Sequence, residues 1–166
     1  MKTDAIRTAL KSQYYAALTT LQQIVNDCPD TLWTDTSYAS PFWRIAYHAL
    51  FYTDFYLEKH ADDLQENKFH RKDYEQLAQV LTNLEGDAAG CSKSETLEYI
   101  RYCQEKADRV LETMDLDQPD SGFYWYNMPK LEHQIVNIRH LQHHAAQLSD
   151  RLRNAAEKPT RWVQGR

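Results

Sequence analysis

Apolar residues recur every three or four positions along four stretches of this chain, a spacing typical of amphipathic α-helices. The stretches cover about 3–27, 41–57, 94–116 and 130–157. Cys28-Pro29 ends the first, because proline disfavours helix for the residue before it. Ser40-Pro41 suits the start of the second helix, and Ser92 or Ser94 can cap the third. The second stretch is apolar nearly all round, which predicts a helix buried on most sides.

The connections after the second and third helices are long, at about 58–92 and 117–129. We therefore predict an all-α fold, a four-helix bundle with long connections after helices 2 and 3. A further short helix is predicted at Asp73–Leu84, over one end of the bundle. The four adjacent aromatic residues of 123–126 are expected to pack on the bundle end, and Trp162 of the tail to dock on the surface. The 166 residues predict a single domain, 1–166, with a helical core at about 3–157.

Charge and composition exclude several classes of function. The formal net charge is -5 and no basic stripe is present, so the sequence predicts no nucleic-acid partner. No run of about 18 apolar residues exists, which predicts no membrane span, and the first residues lack the apolar core of a signal peptide. The three cysteines, Cys28, Cys91 and Cys103, are odd in number and far apart. Reduced thiols and a cytoplasmic location fit this pattern.

The last helix carries two parallel stripes of side chains. The apolar stripe consists of Ile138, Leu141, Ala145, Leu148 and Leu152. The polar stripe consists of His133, Asn137, His140, His144, Gln147 and Arg151. Because residues four apart share a helix face, His140 and His144 can direct their imidazoles at one metal ion. A solvated pair of histidines is the alternative interpretation of the same spacing.

Two other histidines of this helix do not fit the same ion. His143 lies about 100° around the helix from His144, and His133 lies about 10 Å along the axis from His140. In the second helix, His48 is the single histidine of an apolar stretch. It is either a core histidine or the third ligand of a three-histidine site with an open coordination position. His60 and His70 lie among charged residues and are predicted to be exposed.

The segment Pro41-Phe42-Trp43-Arg44-Ile45-Ala46-Tyr47-His48 with Asp54, followed by His140-x-x-x-His144-Ala145-Ala146-Gln147, resembles the DinB/YfiT-like family of small metal-binding helical bundles. The resemblance covers roughly residues 3–155 and implies the four-helix fold. In that family one histidine of the second helix and two of the last hold the metal. The matching positions here are His48, His140 and His144.

The resemblance also implies a class of chemistry. Family members of known activity are S-transferases that use low-molecular-weight thiols, and others are described as metal-dependent hydrolases. Many carry His-Arg-Gly-Gln at the last ligand, whereas this chain has His144-Ala145-Ala146-Gln147, so recognition of a thiol cofactor carries over weakly. Neutral imidazoles suit zinc, nickel, copper and iron alike, so the spacing does not name the ion. Zinc or nickel is the expected metal, with iron or copper as the alternatives. Asn137 and Gln147 are candidates for orienting ligands or bound water, with ordinary bonds between helices as the alternative.

The sequence leads to one function hypothesis and its rivals. We expect a metal-dependent enzyme that activates a thiol or water for attack on a small-molecule substrate, without assigning catalytic residues. A non-catalytic metal-binding or dimerising bundle is the alternative, with a tyrosine or Glu132 as fourth ligand, and a third interpretation has no metal at all. No carboxylate lies on the polar stripe, and Asp54 is expected to tie helices together. Homodimerisation is compatible with the aromatic-rich sequence.

Overall fold

The computed structural model describes residues 2–77 and 90–166 and is all-α over those residues. Within these described residues, five α-helices and one short 3-10 helix follow one another. They are α1 (Lys2–Asp27), α2 (Asp30–Trp33), α3 (Phe42–Tyr56), the 3-10 helix Ala61–Asp63, α4 (Lys93–Thr113) and α5 (Lys130–Ala156). The four long helices match the four predicted stretches within a few residues. The one-turn helix α2 was not predicted, and the third stretch ends three residues earlier than expected.

Each of the four long helices packs against two others around a shared core. α1 contacts α4 and α5, and α3 contacts the same two helices. The apolar stripe of α5 faces this core, since Leu141, Ala145 and Leu148 have no exposed surface. α3 is buried on most of its circumference, as its composition predicted, and Ala46, Ala49 and Leu50 likewise have no exposed surface. Burial of these apolar faces supplies most of the favourable free energy of folding.

A buried carboxylate ties α3 to α4. Asp54 is fully buried and accepts hydrogen bonds from the Tyr99 hydroxyl (2.9 Å) and from the Lys106 ammonium group. Two residues of the following connection also reach it, Asn67 through its amide (3.1 Å) and His70 through Nε2 (3.0 Å). The prediction that His70 is exposed is therefore wrong, since only 9% of its side chain is accessible. Its charged neighbours in sequence face solvent, while its own ring turns toward the buried carboxylate.

The connection after α3 runs along that helix. The Tyr47 hydroxyl accepts a hydrogen bond from the Arg71 amide (2.8 Å) and donates one to the Phe69 carbonyl (2.9 Å). Of the predicted helix Asp73–Leu84, residues 73–77 form turns rather than helix, and the remainder lies outside the described residues. The connection therefore lies against α3 and approaches the side of α3 that carries His48.

The loop before α5 is tightly built. Lys130 at the start of α5 donates to the carbonyls of Lys59 (2.8 Å) and Ser121. Gly122 has φ +83°, and a Cβ atom there would lie 2.1 Å from the Lys59 carbonyl oxygen, so only glycine fits this close approach. Phe123 is buried, with 1% exposure, against Phe55 and Tyr56 of α3, whereas Tyr124 is 92% exposed. The four aromatics therefore do not all pack on the bundle.

The C-terminal tail is attached by polar contacts. Thr160 accepts a hydrogen bond from Ser149 (2.8 Å), and the Arg166 guanidinium pairs with Asp108 of α4. Trp162 is 85% exposed, so the prediction that it docks on the surface is wrong. The polar contacts on either side hold the tail without burying the indole.

The three cysteines, for which the sequence predicted reduced thiols, are all buried and unpaired. None of the helices within residues 2–77 and 90–166 combines the length and apolar character needed to cross a membrane.

Candidate metal centre

Three histidine side chains meet between α3 and α5. His48 comes from α3, and His140 and His144 come from successive turns of α5. The Nε2 atom of His140 lies 3.1 Å from Nε2 of His48 and 3.2 Å from Nε2 of His144. One ring nitrogen from each histidine lies within 4.8 Å of the others. The tertiary fold therefore brings together the three histidines that the sequence singled out.

The spacing of these nitrogens suits a transition metal. Two nitrogens bound at the usual zinc–nitrogen length in a tetrahedral site would be about 3.3 Å apart. The two distances at His140 are close to that value. Within the described residues the cluster contains no carboxylate and no thiolate. Glu132, the acidic candidate for a fourth ligand, is exposed at the start of α5. The arrangement can provide three neutral ligands and leave a further position open.

Burial keeps the three imidazoles neutral. It lowers the pKa of His48 to about 4, although the bond to the Glu75 carbonyl acts in the opposite direction. The pKa of His140 is lowered to about 3, by burial and then by the neighbouring histidines His144, His48 and His143. Burial also lowers the pKa of His144. Because a metal binds only the unprotonated imidazole, the cluster is in its ligand form at neutral pH.

Hydrogen bonds to the outer ring nitrogens orient two of the histidines. His48 donates from Nδ1 to the Glu75 carbonyl (2.5 Å), and His144 donates from Nδ1 to Oε1 of Gln147 (3.1 Å). A proton held on Nδ1 leaves Nε2 free as an acceptor, and in both residues Nε2 is the atom that faces His140. The Nδ1 atom of His140 is buried without a hydrogen-bond partner among the described residues.

The two polar candidates of the α5 stripe have different surroundings. Gln147 contacts a histidine of the cluster directly, through the bond to His144. Asn137 is fully buried and donates from its amide to the Thr53 carbonyl of α3 (3.1 Å). Its Oδ1 atom has no hydrogen-bond partner in the part of the chain that the structure describes. Asn137 thus joins α5 to α3, which is the alternative role that the sequence allowed.

Sequence reasoning missed two neighbours of the cluster. No pattern in the sequence marks the Glu75 carbonyl as a partner of His48, because a backbone carbonyl is present at every residue. Tyr52 lies one turn after His48, and its ring centroid is 4.8 Å from that of His48 and 5.5 Å from that of His140. The i to i+4 spacing from His48 was the available signal. Tyr52 and Tyr56 give the cluster an aromatic wall.

The remaining α5 histidines stay outside the cluster, as their helical positions predicted. His143 is exposed, and its ring contacts the ring of His144 from outside the cluster. His133 is fully buried among the rings of Tyr56, Phe123 and Tyr126, at centroid distances of 4.6 to 5.1 Å. Both of its ring nitrogens lack a hydrogen-bond partner among the described residues. His133 therefore packs with these aromatic rings near the start of α5 and does not belong to the three-histidine cluster.

One of three comparisons with known proteins found a match. The family model described as the DinB superfamily matches residues 13–148. This span includes all three clustered histidines and most of the four long helices. Searches of curated proteins and of solved structures found no match to the chain.

Proposed function

The chain belongs to the DinB superfamily, and from this membership and the histidine cluster we propose that it binds one divalent transition metal through His48, His140 and His144. The proposal is carried by the convergence of three neutral imidazole nitrogens, in which both distances from His140 Nε2 are near the tetrahedral spacing. Zinc or nickel is the expected ion, and iron or copper would accept the same ligands. Gln147 is proposed to orient His144, as the contact between their side chains supports. Asn137 is proposed to hold the two ligand-bearing helices together.

We propose that the site activates a small thiol, or water, for attack on a small-molecule substrate. A metal with three neutral ligands acidifies a water or thiol bound at its open position. The nearest acid along α3, Asp54, is engaged by Lys106, Tyr99 and His70 and is not free to act as a general base. This favours a thiol over water, because a thiol that coordinates a metal is deprotonated outright, whereas a metal-bound water keeps a pKa of about 7. Tyr52 and Tyr56 supply an apolar wall for the substrate side.

The broader proposals follow from the same observations. Residues 1–166 are proposed to form one cytoplasmic domain, a four-helix bundle with long connections after its second and third helices. The net charge of -5 supports the absence of a nucleic-acid partner. Homodimerisation stays a prediction, for which light scattering of the purified protein is the measurement.

Elemental analysis tests the metal site. Purified untagged protein, incubated with zinc or nickel and then desalted, is expected to hold about one equivalent of metal. The double variant His140→Ala/His144→Ala should lose it. The variant His143→Ala, which removes an exposed histidine from the same helix, should retain it. Equal metal content in the wild type and the double variant would overturn the proposal.

Cobalt substitution separates the enzyme from the non-catalytic alternative. Addition of a small thiol to the cobalt protein should produce a sulfur-to-cobalt charge-transfer band if the fourth position is open. A spectrum that no thiol or anion alters would indicate a fourth protein ligand. That result would favour a structural metal in a non-catalytic bundle.

A further inference from the structure

Arg44 is a buried arginine one turn before His48 on α3. Only 1% of the residue is exposed. Its Nη1 atom donates to two backbone carbonyls of the connection after α3, those of Asp73 (3.0 Å) and Gln76 (3.1 Å). A single guanidinium therefore holds two carbonyls of one turn in the chain.

These two carbonyls flank the residue that orients His48. Glu75 lies between Asp73 and Gln76, and its own carbonyl accepts the hydrogen bond from His48 Nδ1 (2.5 Å). The side chain of Gln76 donates to the Asp73 carboxylate (3.0 Å), which closes the turn. Asp73 has φ +65°, in the left-handed region that few residues other than glycine adopt. The turn thus has an unusual backbone that surrounding contacts must hold in place.

Aromatic rings fix the guanidinium itself. Its central carbon lies 4.7 Å from the ring centroid of Trp43 and 5.7 Å from that of Tyr74. A planar guanidinium can stack on aromatic rings while its Nη1 atom donates to both carbonyls, whereas a lysine ammonium has no planar group to stack. Arg44 is therefore rigid relative to α3, the helix that also carries His48.

We propose that Arg44 is the positioning residue of the histidine cluster: it holds the turn 73–76 so that the Glu75 carbonyl keeps the proton of His48 on Nδ1. In that tautomer Nε2 of His48 is unprotonated and faces Nε2 of His140, 3.1 Å away. The functional purpose of this role rests on the proposed metal site. The tautomer itself is a property of the metal-free protein and can be measured without the metal.

The test uses Arg44→Met with Arg151→Met as a matched control. Arg151 is also a partly buried arginine, which donates to one backbone carbonyl, that of Ser40 (2.9 Å), and stacks on Tyr38 at 4.0 Å. Neither of these two contacts involves the turn 73–76 or the histidine cluster. Both variants should therefore lose the packing contribution of a partly buried arginine. Only Arg44→Met should also change the tautomer of His48.

Nitrogen-15 NMR of the metal-free proteins at about pH 8, where an ordinary histidine is neutral, gives the decisive readout. Wild type and Arg151→Met are expected to show His48 protonated on Nδ1. Arg44→Met should show a large fraction protonated on Nε2, and its metal affinity should fall about 10- to 100-fold, as for other residues that orient ligands. If Arg44→Met does not fold, Arg44→Lys, which keeps the charge and the stem, serves for the same spectrum.

The outcomes separate the two proposals. A His48 tautomer that is unchanged in the folded Arg44 variant would overturn the role of Arg44, whatever the metal content. A wild type that binds no metal but loses the Nδ1 proton in Arg44→Met would support the positioning role and overturn the metal site.

Discussion

The carboxylate of Asp54 and the ammonium group of Lys106 form an ion pair in the core, joining α3 to α4. Neither side chain is more than 6% exposed, and Lys106 also reaches the carboxylate of Glu58 at 2.5 Å. Two buried charges remain tolerable only while each has its partners, because water cannot solvate them. The ion pair therefore makes the packing of α3 against α4 dependent on both side chains.

Asp54→Ala is expected to lower the free energy of unfolding by about 3 kcal/mol or more, because the lysine stays buried with one carboxylate instead of two. Urea unfolding followed by circular dichroism measures the change. The control is Glu98→Ala, which removes the partner of Lys68 in an exposed pair. It should cost less than about 1 kcal/mol, as for most surface ion pairs. Equal effects in the two variants would contradict the importance of the buried pair.

His133→Phe is expected to make the metal-free protein less sensitive to acid. Burial, with a smaller contribution from Lys130, lowers the pKa of His133 to about 4 in the folded state. The unfolded state, with its pKa near 6.5, takes up the proton first as the pH falls. The stability that neutral His133 contributes is thus fully present above about pH 6.5, and on the order of 3 kcal/mol of it is lost as the pH falls toward 4.

Urea unfolding at pH 7 and pH 5 tests this difference. At pH 7 His133→Phe should be at least as stable as the wild type, since phenylalanine fits among the same three rings. It also removes two nitrogens that have no hydrogen-bond partner in the part of the chain that the structure describes. Its loss of stability at pH 5 should be smaller. His143→Phe, at an exposed position of α5, should keep the wild-type dependence on pH. A marked loss of stability in His133→Phe at pH 7 would show that the ring nitrogens are bonded.

Gln147→Ala is expected to weaken metal binding about 10-fold or more, because His144 loses the acceptor that keeps its proton on Nδ1. Competition with a chromophoric chelator measures the dissociation constant. Gln142→Ala, on another face of α5, is the control and should bind as the wild type does. Unchanged metal affinity in Gln147→Ala would mean that the hydrogen bond from His144 to Gln147 does not contribute to metal binding by His144.

Ser92→Ala is expected to lower the free energy of unfolding by about 1 kcal/mol. Ser92 and Glu95 form a capping box at the start of α4, in which the serine hydroxyl accepts from the Glu95 amide (3.2 Å) and the Glu95 carboxylate accepts from the Ser92 amide (3.0 Å). Thermal or urea unfolding gives the measurement. Ser94→Ala, at an exposed position inside α4, should have little effect. A larger effect at Ser94 would contradict the assigned cap.

Local patterns in the sequence were enough to place the four long helices and two of the three candidate ligands. The three- and four-residue spacing of apolar side chains is a property of the helix itself, so it is visible without the tertiary structure. The same holds for His140 and His144, which one helix brings together. Fixed helical rise and rotation also kept His133 and His143 apart from this pair.

Contacts between distant segments could be inferred only in part. His48 was assigned to the site through its family resemblance, because periodicity alone left it equally well a core histidine. Ser92 and Ser94 were equivalent as caps until the backbone of α4 was known. His70 was misassigned because its sequence neighbours are charged, while its actual partner is Asp54, 16 residues away.

The sequence by itself therefore determined the features that lie within single helices. These are the helical segments, their buried faces and the His140–His144 pair. What only the tertiary structure decided was how α3, α5 and the connection after α3 meet. The Glu75 carbonyl and the Arg44 guanidinium act on His48 across this meeting point. A backbone carbonyl has the same chemistry at every residue, so its role depends on where the chain places it, and no residue pattern records that position.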